Sequence, residues 1–349
     1  MGTLRVHGTI DISQFWPAGT SDADTTKIKL IVNKNSFEYK EKGATKFSSI
    51  KLFNDAQSKG QVSKKVVTVS KKTGDQTITV RLQGVDAPEL HYKAAPLKTS
   101  DNISTAERKK FNDLNKERRQ NFGETATVEL KKHLEKFANP QGLITAVFET
   151  EVDAPSDVVD TYGRFVGNIR IGKSHIVNEW LVEDGWGHPA FYTSMSATEI
   201  QTFLALWKKG KKKKNRPGKF LSKDANNFDW ALLYAEPKKN QPVPFTPGED
   251  KGDVLMPKIF RRQVSWLVSK KAGVISNSTG FKTYLKKKPD QLVLLNDFLQ
   301  NGVNSAQVFA LDEFITADNK ILKNPEEMVF KEKPSILVDP GGNKITKWK

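Results

Sequence analysis

Apolar and polar residues alternate through much of the first 170 positions, which is the period of half-buried β-strands. LRVHGTIDIS (4–13) and TTKIKLIV (25–32) predict a first pair of strands. VVTVSKKTGDQTITVRLQGV predicts a hairpin that turns at KKTGD. Within it Ile78, Val80 and Leu82 share one face while Arg81 takes the other. Asp86 falls at the end of that run, and Pro88 stops its continuation. GLITAVFETEV and RFVGNIRI add two more strands, joined through APSDVVDTYG.

Helical spacing appears between and after these runs. ISTAERKKFNDLNKERRQ has helical composition, and GETATVELKKHLEKF (123–137) is a clearer helix. HIVNEWLVEDGW (175–186) predicts a helix closed by Gly185, and ATEIQTFLALWKKGKKKKN a further helix running into a basic tail. Five strands followed by helices predict an α+β fold, a five-stranded OB-fold β-barrel with packed helices. EPKKNQPVPFTPGEDKGD (236–253) has the Pro, Lys and Asn content of a linker. Beyond it, MPKIFRRQVSWLVSKKAG and KPDQLVLLNDFLQNG are helical, while VFALDEF and ILVDPGG are short strands. The expected organisation is a first domain at 1–225 with polar insertions at 33–64 and 91–121, a linker at 226–253, and a smaller mixed, mainly helical domain at 254–349.

Composition narrows the function. The 349 residues carry a formal net charge of +16 and no cysteine. The charge favours a polyanionic partner, since Lys and Arg gain affinity by releasing condensed counterions from nucleic acid. The missing cysteine excludes disulfides, zinc–thiolate sites and thiol nucleophiles. No apolar run is long enough to span a bilayer, and MGTLRVHG lacks a signal pattern.

Three separated segments carry chemistry: DADTTKIKL, VRLQGVDAPE and DTYGRFVGNI. Together they offer two carboxylates for a hard cation (Asp24, Asp86), two guanidiniums for a phosphate (Arg81, Arg164) and a spare carboxylate (Glu89). Oxygen ligands suit calcium, and guanidinium forks suit a phosphate whose charge grows in a transition state. A carboxylate hydrogen-bonded to water can act as a general base. Spacing alone equally allows five separate surface charges.

DADT, RLQGVDAPE, DTYGR and HIVNEWLVEDGWG, in that order, resemble the staphylococcal nuclease (thermonuclease) family, as do GETATVELKKHL and ALWKKGKKKKNRPGKF. The similarity runs over about residues 4–220. It implies a calcium-dependent phosphodiesterase acting on DNA and RNA, with single-stranded or frayed strands favoured, and a secreted or periplasmic setting. Asp24, Asp86 and the Ala87 carbonyl would hold Ca2+. Glu89 would be the general base, and Arg81 and Arg164 the phosphate-binding groups. Tyr162, Phe191, Tyr192, Lys211 and Lys212 would line the substrate.

This chain departs from the family pattern at Ala23 for Gly, Ala87 for Thr and Thr161 for Lys. A different class remains open: a catalytically silent OB-fold module that binds nucleic acid or protein. Residues 254–349 resemble no family and would serve as a partner site or surface tether. His188 is expected to be structural or at the surface, and Trp180, Trp186 and Trp207 to lie in the core.

Overall fold

The computed structural model describes residues 1–31, 36–98, 101–234, 252–287, 289–333 and 335–348. Residues 235–251, which hold most of the linker expected at 226–253, lie outside the described residues, as do residues 32–35 in the first insertion. The chain divides into two compact units that are each discontinuous in sequence. One comprises Met1–Val85, Val128–Leu181 and Glu332–Lys349, and the other Asp86–Thr127 and Val182–Lys331.

In chain order the first stretch holds β1 (Gly2–Asp11), β2 (Thr25–Leu30), β3 (Phe37–Lys40), β4 (Ser48–Ser49), β5 (Gln57–Lys59), β6 (Ser63–Lys65), β7 (Val67–Val69), β8 (Gln76–Leu82) and β9 (Gly84–Asp86). After α1 (Thr105–Leu114) and α2 (Gly123–Glu135) come β10 (Leu143–Val152), β11 (Phe165–Ile171), β12 (His175–Ile176) and α3 (Val177–Glu183).

Five of these strands close a barrel. β1 pairs with β2, β2 with β8, β8 with β11, β11 with β10, and β10 returns to β1. The closing pair is long, in register from Gly2 opposite Val152 to Asp11 opposite Leu143. Alternation along the strands fills the barrel: Leu4, Val6, Ile10, Ile28, Val80, Phe148, Phe165 and Ile169 are buried. Burying one such side chain stabilises the fold by about 1.5–3 kcal/mol. The hairpin expected at KKTGD is present, with Val69 opposite Gln76.

The first insertion is more ordered than its polar composition predicts. β3 pairs with β1, and β5 pairs with β6 and with β17 (Ile336–Val338). Trp348 stacks on Tyr39 with ring centroids 4.0 Å apart. The C-terminal tail thus belongs to the barrel unit rather than to the residues that precede it.

The second unit contains β13 (His188–Tyr192), α4 (Ala197–Gly210), α5 (Pro257–Ala272), α6 (Phe281–Lys286), β14 (Gln291–Leu294), α7 (Leu295–Ser305), β15 (Val308–Ala310) and β16 (Met328–Phe330). β13 runs parallel to β16, and β14 pairs antiparallel with both β16 and β15. The helix expected across KPDQLVLLNDFLQNG begins only at Leu295. Leu292 and Val293 are both fully buried, and pairing on both edges makes their segment a strand.

The second insertion is part of this unit's core. Phe111 of α1 and Ala94 join Ile259, Phe260 and Val264 of α5, together with Phe281, Leu292 and Phe330. Residues from Leu255 to Phe330 therefore share one core with Ala94 and Phe111 of the second insertion.

Candidate functional site

Within the barrel unit, three of the expected site residues come together. Asp22 to Thr25 form a turn closed by the Thr25 N–H donating to the Asp22 carbonyl, and β2 starts there. Thr25 stands opposite Arg81 in the β2–β8 register. The Arg81 guanidinium pairs with the Asp24 carboxylate, and the side chains are 11% and 5% exposed. The Leu82 N–H donates to the Asp24 carbonyl at 2.9 Å, which fixes the turn to β8.

Arg164 arrives from a second turn. The Asp160 carboxylate accepts the backbone N–H groups of Tyr162 and Arg164, both at 2.9 Å. The same carboxylate takes Arg164 Nε at 2.8 Å, while Arg164 Nη1 donates to Thr25 Oγ1 at 3.3 Å. Gly163 sits here at φ +77°, and a Cβ on it would lie 2.8 Å from Ser58 Oγ. The sequence Asp-Thr-Tyr-Gly-Arg is thus a side-chain-braced turn that aims a guanidinium at the Asp24–Thr25 segment. Tyr162 is 46% exposed, with its ring 5.4 Å from the Arg164 guanidinium.

Within the second unit, Asp86, Ala87 and Glu89 are all buried. The loop is held from behind by Gln120. Its side-chain oxygen accepts the Glu89 N–H at 3.0 Å, its backbone N–H donates to the Glu89 carbonyl at 2.8 Å, and its amide donates to the Leu255 carbonyl at 2.9 Å. Arg261 of α5 donates to Glu89 Oε1 and lies 3.5 Å from Asp86 Oδ1. The Lys258 N–H, in the first turn of α5, donates to Asp86 Oδ2 at 3.0 Å.

The remaining expected residues fare unevenly. Phe191 has no exposed surface in this structure. The cause is that β13 is buried along nearly its whole length. Tyr192 is half-buried beside Phe330, with Lys258 Nζ 5.5 Å from its ring. Lys211 pairs with Glu326 at 3.3 Å, and Lys212 is exposed. Its neighbours are also engaged: Lys209 with Glu183, and Lys213 and Arg216 with Asp184. Much of the basic run is therefore tied to acidic residues of the same unit.

His188 is fully buried, and among the described residues neither ring nitrogen has a hydrogen-bond partner. Burial lowers its pKa to about 4, against an opposing pull from Asp86. It is structural, as are the buried Trp186 and Trp207, whereas Trp180, expected in the core, is half-buried and stacks on His133.

Carboxylate oxygens are the donor type that a hard cation takes. Asp24 and Asp86 are almost fully buried carboxylates, and each demands positive charge close by. Arg81 supplies it to Asp24, and Arg261 with the α5 N-terminus supplies it to Asp86. Among the described residues, no three His, Cys, Asp or Glu side chains are grouped as metal ligands.

Arg261 and Gln120 were not singled out from sequence. One signal was available for Arg261. α5 carries Lys258, Arg261 and Arg262 near its start and no acidic residue in its first turn, against the preference set by the helix dipole. Carboxylates from elsewhere in the chain offset such a charge, as Asp86, Glu89 and Asp290 do here.

Residues 79–216 match the family model described as staphylococcal nuclease homologue. No curated protein matches the chain. The matched stretch contains Arg81, Asp86, Glu89 and Arg164 and begins after the Asp24 turn. Ordered motifs, a closed five-stranded barrel and this match agree: residues 79–216 mark a staphylococcal nuclease homologue domain in this chain.

Proposed function

We propose that the chain is a calcium-dependent nuclease that hydrolyses phosphodiester bonds of DNA, RNA or both with little sequence preference, single-stranded or frayed strands favoured. A domain of this family is of nuclease type or binds nucleic acid, and the net charge of +16 suits either. The finer reading is supported by one observation: two guanidiniums, Arg81 from β8 and Arg164 from the turn before β11, reach the same Asp24–Thr25 segment at the start of β2.

In this assignment Arg81 and Arg164 hold the scissile phosphate and meet the charge that develops on its oxygens. Glu89 orients and deprotonates the attacking water. Asp24, Asp86 and the Ala87 carbonyl would hold calcium, which when bound neutralises phosphate charge. Tyr162, Tyr192, Lys211 and Lys212 are the remaining substrate contacts of this assignment, of which Tyr162, Lys211 and Lys212 are exposed and Tyr192 is half-buried; Phe191, also expected there, is buried.

A second reading is a nucleic-acid-binding module without turnover. It is favoured by the engagement of Glu89 with Arg261. Incubation of the purified chain with denatured DNA and with RNA, in calcium and then in excess chelator, separates the two. Cleavage in calcium that stops on chelation is expected. Binding without cleavage in either condition supports the module, and cleavage indifferent to chelator removes calcium from the assignment.

A further inference from the structure

Two buried carboxylates of the second unit, Asp86 and Glu89, are served by the same guanidinium. We propose that Arg261 is an internal counter-cation of this pair and competes with a divalent cation for Asp86, so that metal is held there only as α5 yields that carboxylate and releases Glu89.

Three features of α5 point the same way. First, Arg261 bonds Glu89 Oε1 and stands 3.5 Å from Asp86 Oδ1 through both terminal nitrogens. Second, the Lys258 N–H takes the other oxygen of Asp86 at 3.0 Å, placing the positive end of a 16-residue helix on the same group. Third, the other basic side chains at the start of α5 face elsewhere. Arg262 makes a two-pronged bond to Asp290 at 2.7 and 2.8 Å, and Lys258 Nζ lies 3.9 Å from Asp290. Arg261 alone of the three reaches residues 86–89.

The electrostatics make this an exchange of cations rather than a simple blockade. The Asp86 side chain is 1% exposed, and a carboxylate so placed is costly without positive charge beside it. Calcium binds carboxylate oxygens at about 2.3–2.6 Å. A guanidinium and a metal at the same oxygens repel each other and contest the same lone pairs. Arg261 therefore sets the cation affinity of these carboxylates, from a helix that lies outside residues 79–216.

The inference takes the identity of the metal from the nuclease reading, and its test is separable from that reading. Calorimetric titration of the full chain with calcium compares the wild type with Arg261→Gln, Arg261→Lys and Arg262→Gln, after thermal unfolding confirms each is folded. Arg261→Gln is expected to bind at least tenfold more tightly, Arg261→Lys by less, and Arg262→Gln as the wild type does. Should Arg261→Gln not fold, a gain in affinity for Arg261→Lys sustains the proposal. Equal affinity for the wild type and the folded Arg261 variants overturns it, as does calcium binding by none of them. Cleavage measured on the same samples keeps the two readings apart: tightened calcium binding with no cleavage upholds Arg261 and ends the nuclease assignment.

Discussion

Arg164→Ala is expected to lower cleavage of denatured DNA by roughly 10²- to 10³-fold, the loss typical of removing one preorganised donor from a developing oxyanion. Little stability should go with it. The Arg164 and Asp160 side chains are 26% and 20% exposed, and a pair so placed contributes about 0–1 kcal/mol. Asp160 would still accept the backbone N–H groups at positions 162 and 164, so the turn keeps its brace. The informative readout is turnover with unfolding measured in parallel. A variant that is folded and cleaves at the wild-type rate would remove Arg164 from the phosphate.

The second large effect is on stability and comes from His188. Its folded pKa of about 4 lies below the unfolded value of 6.5 because burial disfavours the imidazolium, with Asp86 pulling only partly the other way. The unfolded chain therefore binds the extra proton first as pH falls. The contribution of neutral His188 is complete above pH 6.5 and is lost progressively between pH 6.5 and about 4, to a total of about 3 kcal/mol. His188→Leu removes the titrating ring, whose nitrogens have no partner among the described residues, from its place against Trp207. Denaturant unfolding at intervals from pH 4 to 7 should show a shallower slope for the variant. Parallel curves for the two proteins would assign the acid sensitivity to other groups.

The barrel was legible because its strands alternate. Val80, Phe148 and Phe165 declare one buried face each, and the turn at KKTGD fixes a register. The clustering of Asp24, Arg81 and Arg164 was legible through the order of motifs, which places each at a strand start or end. β14 was not, because LVLL suits either a buried helix or a buried strand until its partners are known. The burial of Phe191 was not legible for a similar reason: an aromatic in an apolar run has the same signature whether it lines a groove or fills a core. Arg261 was hidden more deeply. Its partners lie 172 and 175 positions away in sequence, and only the misplaced positive charge at the start of α5 marks it. The composition of the two insertions concealed their part in the fold, since β5 and Phe111 are each ordered by distant segments of chain.

The most direct measurement of the central claim is cleavage of denatured DNA by the purified chain in calcium, run side by side with Glu89→Gln prepared identically. Glutamine keeps the size and the hydrogen-bonding reach of the side chain but cannot take the proton from water. The account predicts cleavage by the wild type and a loss of roughly 10²-fold or more in the variant. Equal cleavage by both proteins, or no cleavage by the wild type while it still binds the strand, would contradict it.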